Sequence, residues 1–196
     1  MVEPCSEVLK YFREMVEYLR KCVAEGREFG FSVVNGEIRE MTSRGRSVAP
    51  PDLREGEVPF LDYHTHVGND PSKVSPEDIY LALEREPKYI CVGSSTQREI
   101  NCWRLSDLRE VMKEIDEVAE RLVSVIDELS DELVKKAIEV GVADELMKYA
   151  RERMYDKMME MARALVPDKY GKYLGEISNF NKKLLEITCL SQRVEV

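Results

Sequence analysis

The stretch Val58-Pro59-Phe60-Leu61-Asp62-Tyr63-His64-Thr65-His66 carries both histidines of a 196-residue chain. Its apolar run starts after Pro59 and stops before Gly68-Asn69-Asp70-Pro71, which predicts a strand over 60–66. Successive side chains of a strand point to opposite faces, so His64 and His66 share one face. That is the disposition a divalent ion needs from two neighbouring ligands. Histidines used only for packing or solubility would be scattered, whereas here the whole supply is clustered. Any mechanism that needs a third histidine is excluded.

Upstream, Val8, Leu9, Phe12, Met15, Val16, Leu19, Cys22 and Val23 recur at helical spacing between Ser6, an N-cap, and Gly26, a stop signal. Phe29 to Val34 reads as a short strand, Asn35-Gly36 as a two-residue hairpin turn, and 37–42 as the polar return strand. Residues 43–59, with Gly45, Pro50, Pro51, Gly56 and Pro59, read as a loop or irregular edge. Downstream, a loop over 67–74 leads to a helix capped by Ser75, opened by Pro76 and running to Glu86. Two further strands, 89–93 and 101–105, are joined by the polar turn 94–99. This order predicts an α+β domain of about 100 residues with an antiparallel or mixed sheet.

After Ser106 glycine and proline thin out, and helical periodicity runs through 108–129, 133–140 and 142–165. Residues 167–175 read as a break and 180–190 as a last short helix. The expected organisation is therefore an α+β domain over 1–106 and an α-helical extension over 107–196. In the extension, the stripe Val111, Ile115, Val118, Leu122, Val125, Ile126 and Leu129 and the cluster Met147, Met154, Met158, Met159 and Met161 read first as packing. A homodimer through this half, or a restriction on access to the histidine site, is the functional alternative.

The net charge of −9 is spread evenly and no basic stripe emerges, which argues against nucleic acid or an anionic membrane as main partner. The start Met1-Val2-Glu3-Pro4 has no basic or apolar targeting region, and no apolar run approaches the roughly 20 residues that span a bilayer. The five cysteines are odd in number, far apart and never in C-x-x-C, which argues against a disulfide framework and for a reduced, cytoplasmic setting. Richness in Glu, Lys and Arg would suit a thermophile.

The chemistry gathers around the histidines. Ser75-Pro76-Glu77-Asp78 follows them and Glu28 precedes them. Two imidazoles and one carboxylate hold zinc with a fourth position left for water, whose pKa such a site lowers to roughly 7. Glu28 is the candidate general base and Ser75 the candidate oxyanion donor, with His64, His66 and Asp78 the candidate ligands. Each element also has a structural reading: Ser75-x-x-Asp78 is a helix capping box with Asp for Glu, and Glu28 a surface charge before a strand.

Taken as Glu28, His64-x-His66 and Ser75-x-x-Asp78, these residues resemble the JAMM (MPN-plus, Mov34-type) zinc metallopeptidase family over about residues 6–105. The resemblance implies an MPN-like (cytidine-deaminase-like) fold with a mixed sheet and flanking helices. It also implies Zn2+ and cleavage of amide or isopeptide bonds, often at the C-terminus of ubiquitin-like modifiers. The substrate would be a protein, peptide or modifier conjugate. Two departures stand out: Val67 where the family has Pro, and eight residues before the serine (67–74) where it has seven. A bulge in that loop keeps Asp78 as ligand; without one, Glu77 takes the ligand distance.

Two other readings remain. Asp62-x-His64-x-His66 with Asp70 also resembles the opening motif of the PHP phosphoesterases, which need further histidines absent here. An MPN-like scaffold that binds partners without turnover is the non-catalytic alternative.

Overall fold

In the computed structural model, which describes residues 3–44, 47–67, 74–152 and 154–195, a 3-10 turn over Ser6–Tyr11 runs into helix α1 (Phe12–Glu25). Gly26 ends α1 in the left-handed conformation (φ 62°) that glycine adopts without a Cβ penalty. There follow β1 (Gly30–Val34), β2 (Glu37–Glu40), β3 (Thr42–Arg44), β4 (Ser47–Ala49), β5 (Pro59–His66), α2 (Pro76–Arg85), β6 (Tyr89–Ser94) and β7 (Glu99–Arg104). The chain continues as α3 (Leu105–Glu110), α4 (Met112–Val140), α5 (Ala143–Arg151), α6 (Tyr155–Leu165), α7 (Pro167–Glu186) and β8 (Thr188–Arg193). The class is α+β. Among the described residues a six-stranded mixed sheet has the order β2-β1-β5-β6-β7-β8, and β3 and β4 form a separate ribbon.

The Asn35-Gly36 turn has both residues at positive φ (54° and 82°), the twist that lets a two-residue loop join β1 to β2. β5 pairs antiparallel with β1 and parallel with β6, so α2 is the crossover of a β5-α2-β6 unit. The central strand sorts its side chains by period two. Leu61, Tyr63 and Thr65 are fully buried on one face, where Tyr63 Oη donates to the Met15 carbonyl of α1 at 2.8 Å. Met15, Leu19, Phe31 and Leu61 pack in this core, and burying each contributes roughly 1.5–3 kcal/mol. Asp62, His64 and His66 point the other way, toward α2.

Gly30 sits opposite His64 in the β1–β5 register. A Cβ there would come within 2.6 Å of the Tyr63 carbonyl and 3.0 Å of His64 Cβ. Only glycine lets the two backbones approach this closely beside the histidines.

Three expectations are corrected. Part of the loop or irregular edge expected over 43–59 is the β3–β4 ribbon, with register Thr42↔Ala49. The break expected over 167–175 is helical, because Pro167 opens α7, where its missing N–H costs no bond. The last short helix expected over 180–190 is the end of α7 followed by β8, whose Leu190 and Ser191 pair with Cys102 and Asn101 of β7. Tertiary pairing overrides local helical periodicity there.

The cysteine reading is also corrected. Cys91 and Cys102 face each other across the β6–β7 ladder and are disulfide-bonded, as are Cys5 and Cys189. Sequence separations of 11 and 184 residues give no hint of either pairing, which only the sheet creates. Among the described residues Cys22 remains a free, buried thiol.

The described residues fall into two compact units, one holding residues up to 67, 74–112 and from 184 onward, the other 113–183. In the first, Trp103 Nε1 donates to the Leu184 carbonyl at 2.9 Å, and β8 closes the sheet. In the second, Glu128 of α4 is bridged by Lys169 and Lys172 of α7. Ile115, Val118, Leu122, Val125 and Leu129 of α4 are buried as the stripe implied, whereas Ile126 is exposed. Among the described residues no helix is long and apolar enough to cross a membrane.

Glu57, before β5, takes two 2.7 Å bonds from the Arg39 guanidinium of β2 and one from the Arg54 N–H, which hold its carboxyl down to about 2. A depressed carboxylate stabilises the fold above its ordinary pKa, and that contribution is lost as pH falls through the folded value. Arg39→Ala should therefore melt below the parent at about pH 6, with the gap closing as melts are taken down to about pH 2.

Candidate metal centre

β5 and the first turn of α2 build the site together. His64 Nε2 and His66 Nε2 lie 3.0 Å apart. Asp78 Oδ1 is 3.2 Å from His64 Nε2, and Asp78 Oδ2 is 3.2 Å from His66 Nε2. Among the described residues this is the one group of three His, Cys, Asp or Glu side chains whose donor atoms converge in this way. A tetrahedral ion with bonds of about 2.0–2.1 Å spaces its donors roughly 3.3 Å apart. The cluster fits a divalent ion in both spacing and donor type.

Asp78 is oriented by its own helix. Ser75 N–H donates to Asp78 Oδ2 at 2.8 Å and Asp78 N–H to Ser75 Oγ at 3.1 Å, a capping box closed in both directions. The structural and the metal-ligating expectations for Ser75-x-x-Asp78 are thus compatible: the cap aims the carboxylate at the histidines. Of the two acids, Asp78 belongs to the cluster, whereas Glu77 is exposed and outside it. Residues 68–73, which include Asp70 and the expected loop bulge, lie outside the described residues.

Glu28 lies between α1 and β1, and the side chain between the two histidines places it. Thr65 points away from them into the core, where its Oγ1 accepts from Phe29 N–H at 2.9 Å and donates to the Phe29 carbonyl at 3.2 Å. Thr65 N–H donates to the same carbonyl at 2.9 Å. The residue after Glu28 is therefore locked to the residue between His64 and His66. Burial pushes the Glu28 carboxyl up, opposed by the neighbouring His66 and His64 and reinforced by Asp78, while the Val48 N–H of β4 pulls it down. Burial also acts to raise Asp78, but the two imidazoles outweigh it and hold that carboxylate well below its usual range. The carboxyls of Glu28 and Asp78 are thus driven in opposite directions.

Asp62, first residue of the D-x-H-x-H pattern, does not join the cluster. Arg85 Nε binds its Oδ2 at 2.9 Å and Ser32 Oγ donates to its Oδ1 at 2.5 Å. Sequence reasoning missed this network, as it missed the Thr65 lock and the β4 contact to Glu28. The available signals were an acid two residues before the histidines on the same strand face and an arginine seven residues after Asp78 on the same helix face. The Cys22 thiol lies beneath the site, 3.7 Å from the His66 carbonyl, its pKa raised by burial. Comparison with protein-family models, with curated proteins and with solved structures finds no match to this chain.

Proposed function

We propose that this chain is a zinc-dependent metallopeptidase of the JAMM (MPN-plus) kind that hydrolyses amide or isopeptide bonds. His64, His66 and Asp78 hold the ion, Glu28 is the general base and Ser75 the oxyanion donor. The observation that carries the reading is the convergence of three donors at 3.0–3.2 Å, with a half-buried glutamate whose carboxyl feels all three. An ion bound there would supply Lewis acidity and an activated water. Burial raises the Glu28 carboxyl above its ordinary value, the direction that suits it to take a proton from the attacking water and hand it to the departing amine. Ser75 Oγ accepts from Asp78 N–H but keeps its own hydroxyl proton to donate to an oxygen that gains charge.

The mixed sheet with α1 and α2 on opposite faces is compatible with the MPN-like (cytidine-deaminase-like) architecture that the motif implies. The substrate we assign is a protein or peptide, the class to which a ubiquitin-like modifier conjugate belongs. A net charge of −9 without a basic stripe argues against nucleic acid or an anionic membrane as main partner. We place the protein in the cytoplasm; two disulfides are compatible with that in a hyperthermophile, whose intracellular proteins are rich in them. Exposed Val123, Val134 and Ile138 of α4 would supply a homodimer contact through the helical half.

The test starts with elemental analysis of protein purified without added metal, which should hold about one zinc per chain. Modifier fusions are then incubated with and without chelator and the products weighed by mass spectrometry. Glu28→Gln should keep its zinc and cleave about 10²–10⁴-fold more slowly. Zinc without cleavage of any fusion favours the scaffold reading. A protein with no zinc and no affinity for it ends the metallopeptidase reading.

A further inference from the structure

Helix α2 is fastened to β5 at two places. In its first turn Asp78 faces His64 and His66. In its last turn Arg85 reaches Asp62 on the same strand face, with Nε to Oδ2 at 2.9 Å and Nη2 to Oδ1 at 3.5 Å. The guanidinium is otherwise filled by the Pro51 carbonyl, 3.0 Å from Nη1, and by Ser32 Oγ of β1, 3.3 Å from Nη2. Asp62 is 7% exposed and Ser32 fully buried.

The two fastenings are commensurate. Seven helical residues from Asp78 to Arg85 advance about 10.5 Å, and the three strand residues from Asp62 to the midpoint of the histidines advance about 10 Å. A buried ion pair is a poor way to add stability, since apolar side chains of like volume often do as well or better. What a bidentate arginine adds is register: it fixes how far α2 slides along β5 and how it is rotated. The three donors at the other end converge only at one such setting.

We propose that Asp62, Arg85 and Ser32 form the positioning network of the metal centre, holding α2 where Asp78 completes the pair His64 and His66. This rests on reading the cluster as a metal site. None of the three touches the ion, so their effect is on affinity and coordination.

The experiment compares the parent with two variants, Ser32→Ala/Asp62→Leu/Arg85→Met and Arg85→Lys. Zinc affinity is read by chelator competition, coordination by the visible absorption of the cobalt-loaded protein, and stability by metal-free melting. The apolar triple variant should melt within about 5 °C of the parent or above it, yet bind zinc 10–100-fold more weakly with a weakened cobalt band. Arg85→Lys keeps the charge but loses the fork. It should fold, bind zinc more weakly than the parent, and serve as the deciding variant if the triple variant does not fold. Parent affinity and parent cobalt spectrum in whichever variants fold would overturn the positioning role and leave the centre intact. A parent protein that binds neither zinc nor cobalt would overturn the centre itself.

Discussion

Asp78→Ala is expected to leave the protein folded but unable to retain zinc through dialysis. The carboxylate is the third donor of the cluster and touches both imidazoles, one through each oxygen. Partners one shell out from a metal typically cost 10–100-fold in affinity when removed, so loss of a ligand should exceed about 100-fold. The same substitution opens the capping box of α2, at a cost of about 1 kcal/mol. Ser75→Ala separates the two effects: it removes the Oγ end of the box, should lose similar stability, and should hold zinc. Glu77→Ala, at an exposed position outside the cluster, should change neither. Zinc per chain after dialysis, with the metal-free melting temperature beside it, decides the matter. If Glu77→Ala loses zinc while Asp78→Ala keeps it, the ligand assignment is reversed.

Legibility in the sequence followed interaction range. Strand β5, the Asn35-Gly36 hairpin and the Ser75-Pro76 start of α2 rest on period-two alternation, positive-φ turn residues and capping, all written within a few residues. The convergence of His64, His66 and Asp78 was also legible, because one strand and one capping turn a few residues further on supply all three. What failed depended on pairing between distant segments. β8 is a strand only because β7 offers it a ladder, and Cys5 meets Cys189 only once that ladder exists. The Arg85–Asp62 contact belongs with these: each residue alone reads as an ordinary surface charge, and only the crossover β5-α2-β6 lays one over the other. The β3–β4 ribbon was hidden by the prolines and glycines around it, which read as loop although six residues pair there.

The second large effect concerns those cysteines. Unfolding the oxidised protein releases a chain still cross-linked between Cys5 and Cys189, 184 residues apart, and between Cys91 and Cys102, 11 apart. On the chain-entropy account the long loop contributes roughly 5 kcal/mol and the short one roughly 3. The short bond also joins residues that the β6–β7 ladder already holds face to face, whereas the long one pins an edge strand to the segment before α1. Cys5→Ser should therefore destabilise more than Cys102→Ser in denaturant unfolding of the non-reduced proteins. Alkylation after denaturation without reductant should label one site, Cys22, and five after reduction. Labelling of all five before reduction would remove both bonds and this ranking with them. Since neither disulfide lies among the converging donors, reductant should lower the melting temperature without releasing zinc from the folded protein.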